Sequence, residues 1–209
     1  MNPLKIVVIS AGLSQPSSTR LLADRMSGAT TEALAAQGRA VEVQTVELRE
    51  YARDIMDNML TGFATERLEV LKTELVGANA VIAVSPIFSQ SLSGLFKSFL
   101  DVLDTKSMVN KPVFLGATAG TKRHSLALEY AIRPVFSYLR AAVAPTLVFA
   151  ASDDWGESSD QAELNTRIEA GATEFAGMLV GATLADKSHQ DGLETVDFEQ
   201  MLRSGGIEF

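Results

Sequence analysis

Four hydroxyl residues crowd six consecutive positions near the amino terminus, Ser14, Ser17, Ser18 and Thr19, with Gly12 just before them and Arg20 just after. Such a set suits an oxyanion. A short hydroxyl side chain at a helix start takes one of the unpaired amides and leaves its neighbours free, and the helix dipole adds partial positive charge there. Together they make a phosphate seat. The stretch has neither the Gly-x-Gly-x-x-Gly spacing of a dinucleotide fold nor the lysine of a Walker loop. A second set follows an apolar run: Pro86, Ile87, Phe88 and Ser89, then Ser93-Gly94 and the helical apolar spacing of Leu95, Phe96, Phe99, Leu100 and Leu103. A third, Thr118, Gly120 and Thr121, again comes after an apolar run and precedes Lys122, Arg123 and His124.

Nucleophilic chemistry is poorly provided for. The chain has no cysteine, which removes disulfides, thiolate catalysis and cysteine-held metals. Its two histidines, His124 at a helix start and His189 in a polar tail, read as structural or solvated. A net charge of −8 disfavours nucleic acid and anionic membrane surfaces, which reward clustered Lys and Arg. No apolar segment has the length of a membrane span. The expectation is a cytoplasmic protein acting on small molecules.

Strands and helices alternate so as to bring these three loops to one edge. Apolar runs at Leu4–Ile9, Val41–Val46, Ala80–Val84, Pro112–Ala117 and Pro145–Ala150 are separated by helical patterns ending near Ala36, at Glu66–Val76, from Gly94, from His124 to Ala142 and from Asp160 to Val180. That alternation predicts a doubly wound α/β domain, a five-stranded parallel sheet of order 2-1-3-4-5, over residues 1–183, with a tail at 184–209. Pro86 should end the third strand. The switch point then lies between strands one and three, where such sheets bind ligands, and all three loops border it. The segment Glu47–Thr65 reads as a lid or a subunit contact, Gly171, Ala172, Ala176 and Gly177 as a close-packing helix face, and Phe198–Leu202 as a short tail helix. Lys97 and Asp101 form a surface pair.

The first loop with Ser17-Ser18-Thr19-Arg20, the block Ser85-Pro86-Ile87-Phe88-Ser89 followed by Ser93-Gly94-Leu95-Phe96-Lys97, and Ala117-Thr118-Ala119-Gly120-Thr121 before Tyr130-Ala131-Ile132-Arg133-Pro134 resemble the NAD(P)H-dependent FMN reductases of flavodoxin-like fold. Within them the likeness is greatest to reductases that supply reduced flavin to two-component monooxygenases. The resemblance implies FMN, with NADPH or NADH as co-substrate, and a homodimer or homotetramer. A flavin-dependent monooxygenase is a candidate partner. Ser14, Ser17, Ser18 and Thr19 would hold the FMN phosphate with Arg20 as a helper. Pro86, Ile87, Phe88 and Ser89 would lie along the isoalloxazine and ribityl chain, and Thr118, Gly120 and Thr121 would border the ring. No side chain is assigned as catalytic, and Lys122 and Arg123 are candidates to steer nucleotide phosphates. Alternatives are a flavin-dependent reductase of quinones, azo dyes or metal oxyanions, and a flavodoxin-like electron carrier. Because Pro134 deprives the carbonyl of Tyr130 of its partner, a π-type turn is expected there, with Tyr130 near the site or an interface.

Overall fold

The computed structural model describes residues 2–156 and 158–190. One unit spans 1–179 and a second 180–209. Five strand positions build the sheet of the first unit, β1 (Leu4–Ser10), β2 (Val41–Glu47), β3 (Ala80–Phe88), β5 (Pro112–Ala119) and a shared edge position, all parallel and in the order β2-β1-β3-β5-edge. Side chains alternate between the faces. Val7, Ile9, Val81, Ala83, Val113 and Leu115 meet Ile55 of α2 (Ala52–Thr61), Leu68, Leu71 and Leu75 of α3 (Glu66–Gly77), and Phe96, Phe99 and Leu100 of α4 (Gly94–Asp101). The opposite face carries α1 (Ser18–Ala36) and, of α6 (Ser158–Gln190), the part that belongs to the first unit. There Met26 of α1 lies so close to Gly116 that a Cβ would stand 2.7 Å from its sulfur, and a Cβ on Gly171 of α6 would stand 2.7 Å from the Phe114 ring. Gly177, expected on the same packing face, has open space around it.

The sheet has seven strands where five were expected. The additional strand β4 (Ser91–Leu92) turns back antiparallel on β3. The fifth position is divided between β6 (Ala142–Val143), paired with Pro112 and Val113, and β7 (Val148–Ala151), paired with Gly116 to Ala119. Pro145 offers no ladder donor between them, and both the N–H and the hydroxyl of Thr146 donate to Glu174 of α6 at 2.9 Å, which pulls the chain off the sheet.

Pro86 does not end β3 either. Its register partner is Thr118, and the strand continues to Phe88. The carbonyl of Val84 accepts from the N–H of Ala11, so the backbone groups of Val84, and of Pro86 two residues on, face the β1 side, where the ladder with β1 has already ended at Ser10. A missing N–H costs nothing at that place.

The helix expected from His124 to Ala142 is broken. A 3-10 turn covers Lys122–His124, a π turn covers Leu128–Ile132, and only α5 (Arg133–Tyr138) is α-helical. The N–H of Arg133 donates to the carbonyl of Leu128, five residues back, so the expected wide turn ahead of Pro134 is present. Tyr130 points outward and is 77% exposed. The segment Glu47–Thr65 folds as a 3-10 turn, Leu48–Tyr51, and α2, anchored by Ile55 and closed by Gly62 at φ 79°. Helix α6 runs to Gln190, past the expected Val180. The tail helix at Phe198–Leu202 lies outside the described residues. Among the described residues no helix is long and apolar enough to cross a membrane.

Candidate flavin site at the carboxyl edge of the sheet

Three loops leave the carboxyl ends of β1, β3 and β5, and side-chain contacts lock them to one another. After β1, the chain folds so tightly over Gly12 that a Cβ there would stand 2.1 Å from Ser17 Oγ. Ser17 Oγ accepts from the N–H of Arg20 and caps α1. The cap takes the amide of the third helical residue, so the N–H groups of Ser18 and Thr19 have no intrahelical acceptor and point out of the helix start. Ser14 and Ser18 are exposed, Ser17 half-buried. Thr19 is buried, and its hydroxyl shares a 2.8 Å hydrogen bond with that of Thr118, which lies within β5 near its end and not, as the sequence suggested, in the loop beyond Ala117. This bond joins the start of α1 to the end of β5, and so the bases of the first and third loops, across ninety-nine residues of chain.

The electrostatics of the first loop are closed by its own acids. Arg20 donates from Nε to Asp24 at 2.8 Å and from Nη1 to Glu47 at 2.9 Å. The bond to Asp24, with Glu47 adding and partial burial opposing, raises the pKa of this guanidinium above its ordinary value. Arg49, which the sequence did not flag, pairs with Glu47 at 2.6 Å and donates to the Ser14 carbonyl at 3.0 Å. The Gln15 amide oxygen also accepts from Arg49. Both arginines are thus neutralised and brace the loop, and the groups left open are hydroxyls and amides. No local spacing pointed to Arg49, because it lies on another element.

Past β3 the chain makes a two-residue loop, Ser89-Gln90, with φ of 49° and 68°. Positive φ at both positions matches the twist of a tight hairpin, yet for residues with a Cβ it costs roughly 1–2 kcal/mol each. Such strain collects at functional sites. Ser85 Oγ fixes the base of this hairpin, donating to the Pro86 carbonyl at 2.9 Å and accepting from the Ser93 N–H at 3.1 Å. Ser93 in turn caps α4 through the N–H of Phe96. Phe88 and Ser89 are exposed at the tip, Pro86 is half-buried, and the Ile87 side chain is buried in the core, so only its backbone is open to a ligand. In the third loop Gly120 and Thr121 are exposed. His124 is not simply solvated: its Nδ1 is buried and has no partner among the described residues. Lys97 and Asp101 form the expected exposed pair at 2.6 Å, which such exposure makes energetically minor.

The edge therefore offers an anion seat of neutral donors at α1, a strained hairpin and a loop of small residues beside it. Among the described residues it has no cluster that could hold a metal ion. A model of the family described as NADPH-dependent FMN reductase matches residues 4–156, the stretch that carries all three loops. The chain belongs to this family. The NADH-dependent FMN reductase SfnE of Pseudomonas putida is 32% identical over 86% of this chain and 94% of its own length. An FMN reductase (NADPH) of Pseudomonas aeruginosa is 30% identical over 86% of this chain and 95% of its own. Among solved structures, an oxidoreductase from Corynebacterium diphtheriae is 45% identical, covers 87% of this chain and 99% of its own, and superimposes with a TM-score of 0.83.

Proposed function

We propose that this FMN reductase reduces free FMN with NADPH or NADH through many turnovers and releases the reduced flavin, with a flavin-dependent monooxygenase as the recipient. The observation that carries this reading is the neutral seat at the start of α1, where Gly12 lets Ser17 fold back and cap the helix while the two arginines nearby are spent on Asp24 and Glu47. A phosphate dianion fits such donors. When bound, the cofactors would supply the hydride chemistry themselves, the reduced nicotinamide giving a hydride from its C4 and the flavin accepting it at N5.

The chain's residues have binding and orienting to do. Ser14, Ser17 and Ser18 present hydroxyls and Ser18 and Thr19 present amides to the phosphate. Thr19 and Thr118 hold the first and third loops together. The Pro86–Ser89 hairpin and the loop of Gly120 and Thr121 would flank the ring, and backbone N–H groups of the hairpin would be the donors to stabilise the negative charge it gains on reduction. Hydrogen bonds from uncharged donors to the dianion are worth about 1.5–3 kcal/mol each, and without a bidentate guanidinium clamp on the phosphate the flavin exchanges on a catalytic timescale.

A homodimer or homotetramer is part of the same reading. Leu60, Phe63, Tyr130 and Tyr138 are each more than 70% exposed, and a subunit contact would cover such side chains. A cytoplasmic setting, where both nucleotides are available, agrees with it. The test is anaerobic. Catalytic protein is mixed with a large excess of FMN and of NADH or NADPH, and flavin absorbance is followed. Bleaching of the whole pool supports the reading, whereas reduction of one equivalent per subunit indicates a carrier.

A further inference from the structure

Beside the third loop stands a second charged cluster, built on the opposite plan from the first. Asp154, in the turn Ser152–Trp155 after β7, is only 1% exposed. Its Oδ2 accepts from the N–H of Ala151 at 2.7 Å, and its Oδ1 faces Arg167 Nη2 of α6 at 3.4 Å and Lys122 Nζ at 3.7 Å. One carboxylate, already committed to the backbone, thus serves two cations at long range. Both cations keep their outer sides in water, Arg167 at 44% and Lys122 at 56% exposure, and Arg123 is exposed next to Lys122. Even with exposed Asp153 on the same turn, positive charge is in excess here, in a chain whose net charge is −8.

The position is as informative as the sign. Strand β7 pairs with Gly116 to Ala119, which places the Asp154 turn at the outer side of the loop carrying Gly120 and Thr121. A nucleotide whose nicotinamide lay over a ring bordered by that loop would extend its phosphates past this edge. We propose that Lys122 and Arg167, oriented by the buried carboxylate of Asp154, form with the exposed Arg123 beside them the seat for the phosphate groups of the reduced pyridine nucleotide. The proposal rests on the FMN reductase reading. It explains why the cations near the first loop are cancelled while these are not: flavin and nicotinamide nucleotide both carry phosphate, and a free cation beside the flavin seat would admit either.

The test uses the full chain and measures binding without turnover. NADP⁺, NAD⁺ and FMN are titrated into wild type, Lys122→Met, Arg167→Met and the double variant, with Lys106→Met as a control cation elsewhere on the surface. Each exposed cation is expected to change nucleotide affinity by roughly threefold or more and the pair by about tenfold, with FMN affinity unchanged. A loss confined to NADP⁺ assigns the 2′-phosphate to the seat, and a loss shared with NAD⁺ assigns the diphosphate. The charge-keeping pair Lys122→Arg and Arg167→Lys should restore most of the affinity. Unchanged nucleotide affinity, equal weakening of FMN, or no rescue by the charge-keeping pair would overturn the proposal. If wild type itself neither binds nor reduces FMN, the underlying functional reading fails instead, so the two failures are told apart.

Discussion

The two ends of the carboxyl edge handle charge in opposite ways. At the first loop Arg20 and Arg49 meet Asp24 and Glu47 at 2.6 to 2.9 Å, and what remains open is neutral. At the third, Lys122 and Arg167 share Asp154 at 3.7 and 3.4 Å, and what remains open is positive. On the reading proposed above, the difference would let one protein bind two phosphorylated partners at neighbouring places without confusing them. Neutral, well-placed donors give a grip that depends on geometry. Excess cations give a grip that depends on charge.

The largest expected effect comes from spoiling the geometry of the neutral end. Gly12→Ala drives a methyl group into Ser17 Oγ, displaces the cap and closes the seat. Overpacking of this kind costs about 1–3 kcal/mol, so FMN affinity should fall at least roughly tenfold in a fluorescence titration. Unaltered affinity would show that the tight fold at Gly12 is unrelated to ligand binding. Removing the phosphate itself tests the same end from the ligand's side, and riboflavin should bind wild type at least about tenfold more weakly than FMN. Equal dissociation constants would remove the first loop from the site.

A smaller effect is expected at the joint between the two ends. Thr19→Val or Thr118→Val each leaves a buried hydroxyl without a partner and should lower unfolding stability by about 1–3 kcal/mol. The double variant should cost less than the two singles combined, because no unpaired hydroxyl remains. Additive losses in denaturant melts would mean that the two hydroxyls act independently. The smallest change belongs to the strained hairpin. Ser89→Gly should stabilise the chain by no more than about 1 kcal/mol through relief of positive φ. Destabilisation would indicate that the Ser89 side chain makes contacts that outweigh the strain.

The neutral end was more legible in the sequence than the positive one, for a physical reason. Hydroxyls that cap a helix lie within a few residues of it, so the run Ser17, Ser18 and Thr19 marked the start of α1 by spacing alone, and Ser17 is the cap. The alternation of apolar runs likewise revealed the parallel sheet and its first four parallel strands, and Pro134 announced the π turn. Contacts between distant elements left no such trace. Arg49 reaches Ser14 from the turn after β2, and Arg167 reaches Asp154 from α6, pairings that exist only once the sheet has formed. Proline was misleading in β3, because its cost depends on whether a neighbouring strand needs the missing N–H. The divided edge strand was hidden for a related reason, since Glu174, which draws Thr146 away, lies on another element.

The contrast between a neutral and a charged seat is tested most directly by salt. Dissociation constants of FMN and NADP⁺ for the wild-type chain would be measured side by side as ionic strength rises from about 0.02 M to about 0.5 M, a range over which the screening length shrinks severalfold. The account predicts that NADP⁺ binding weakens severalfold while FMN binding stays within about twofold, so that the ratio of the two constants changes steadily with salt. FMN binding that weakens as steeply as NADP⁺ binding, or more so, would contradict it.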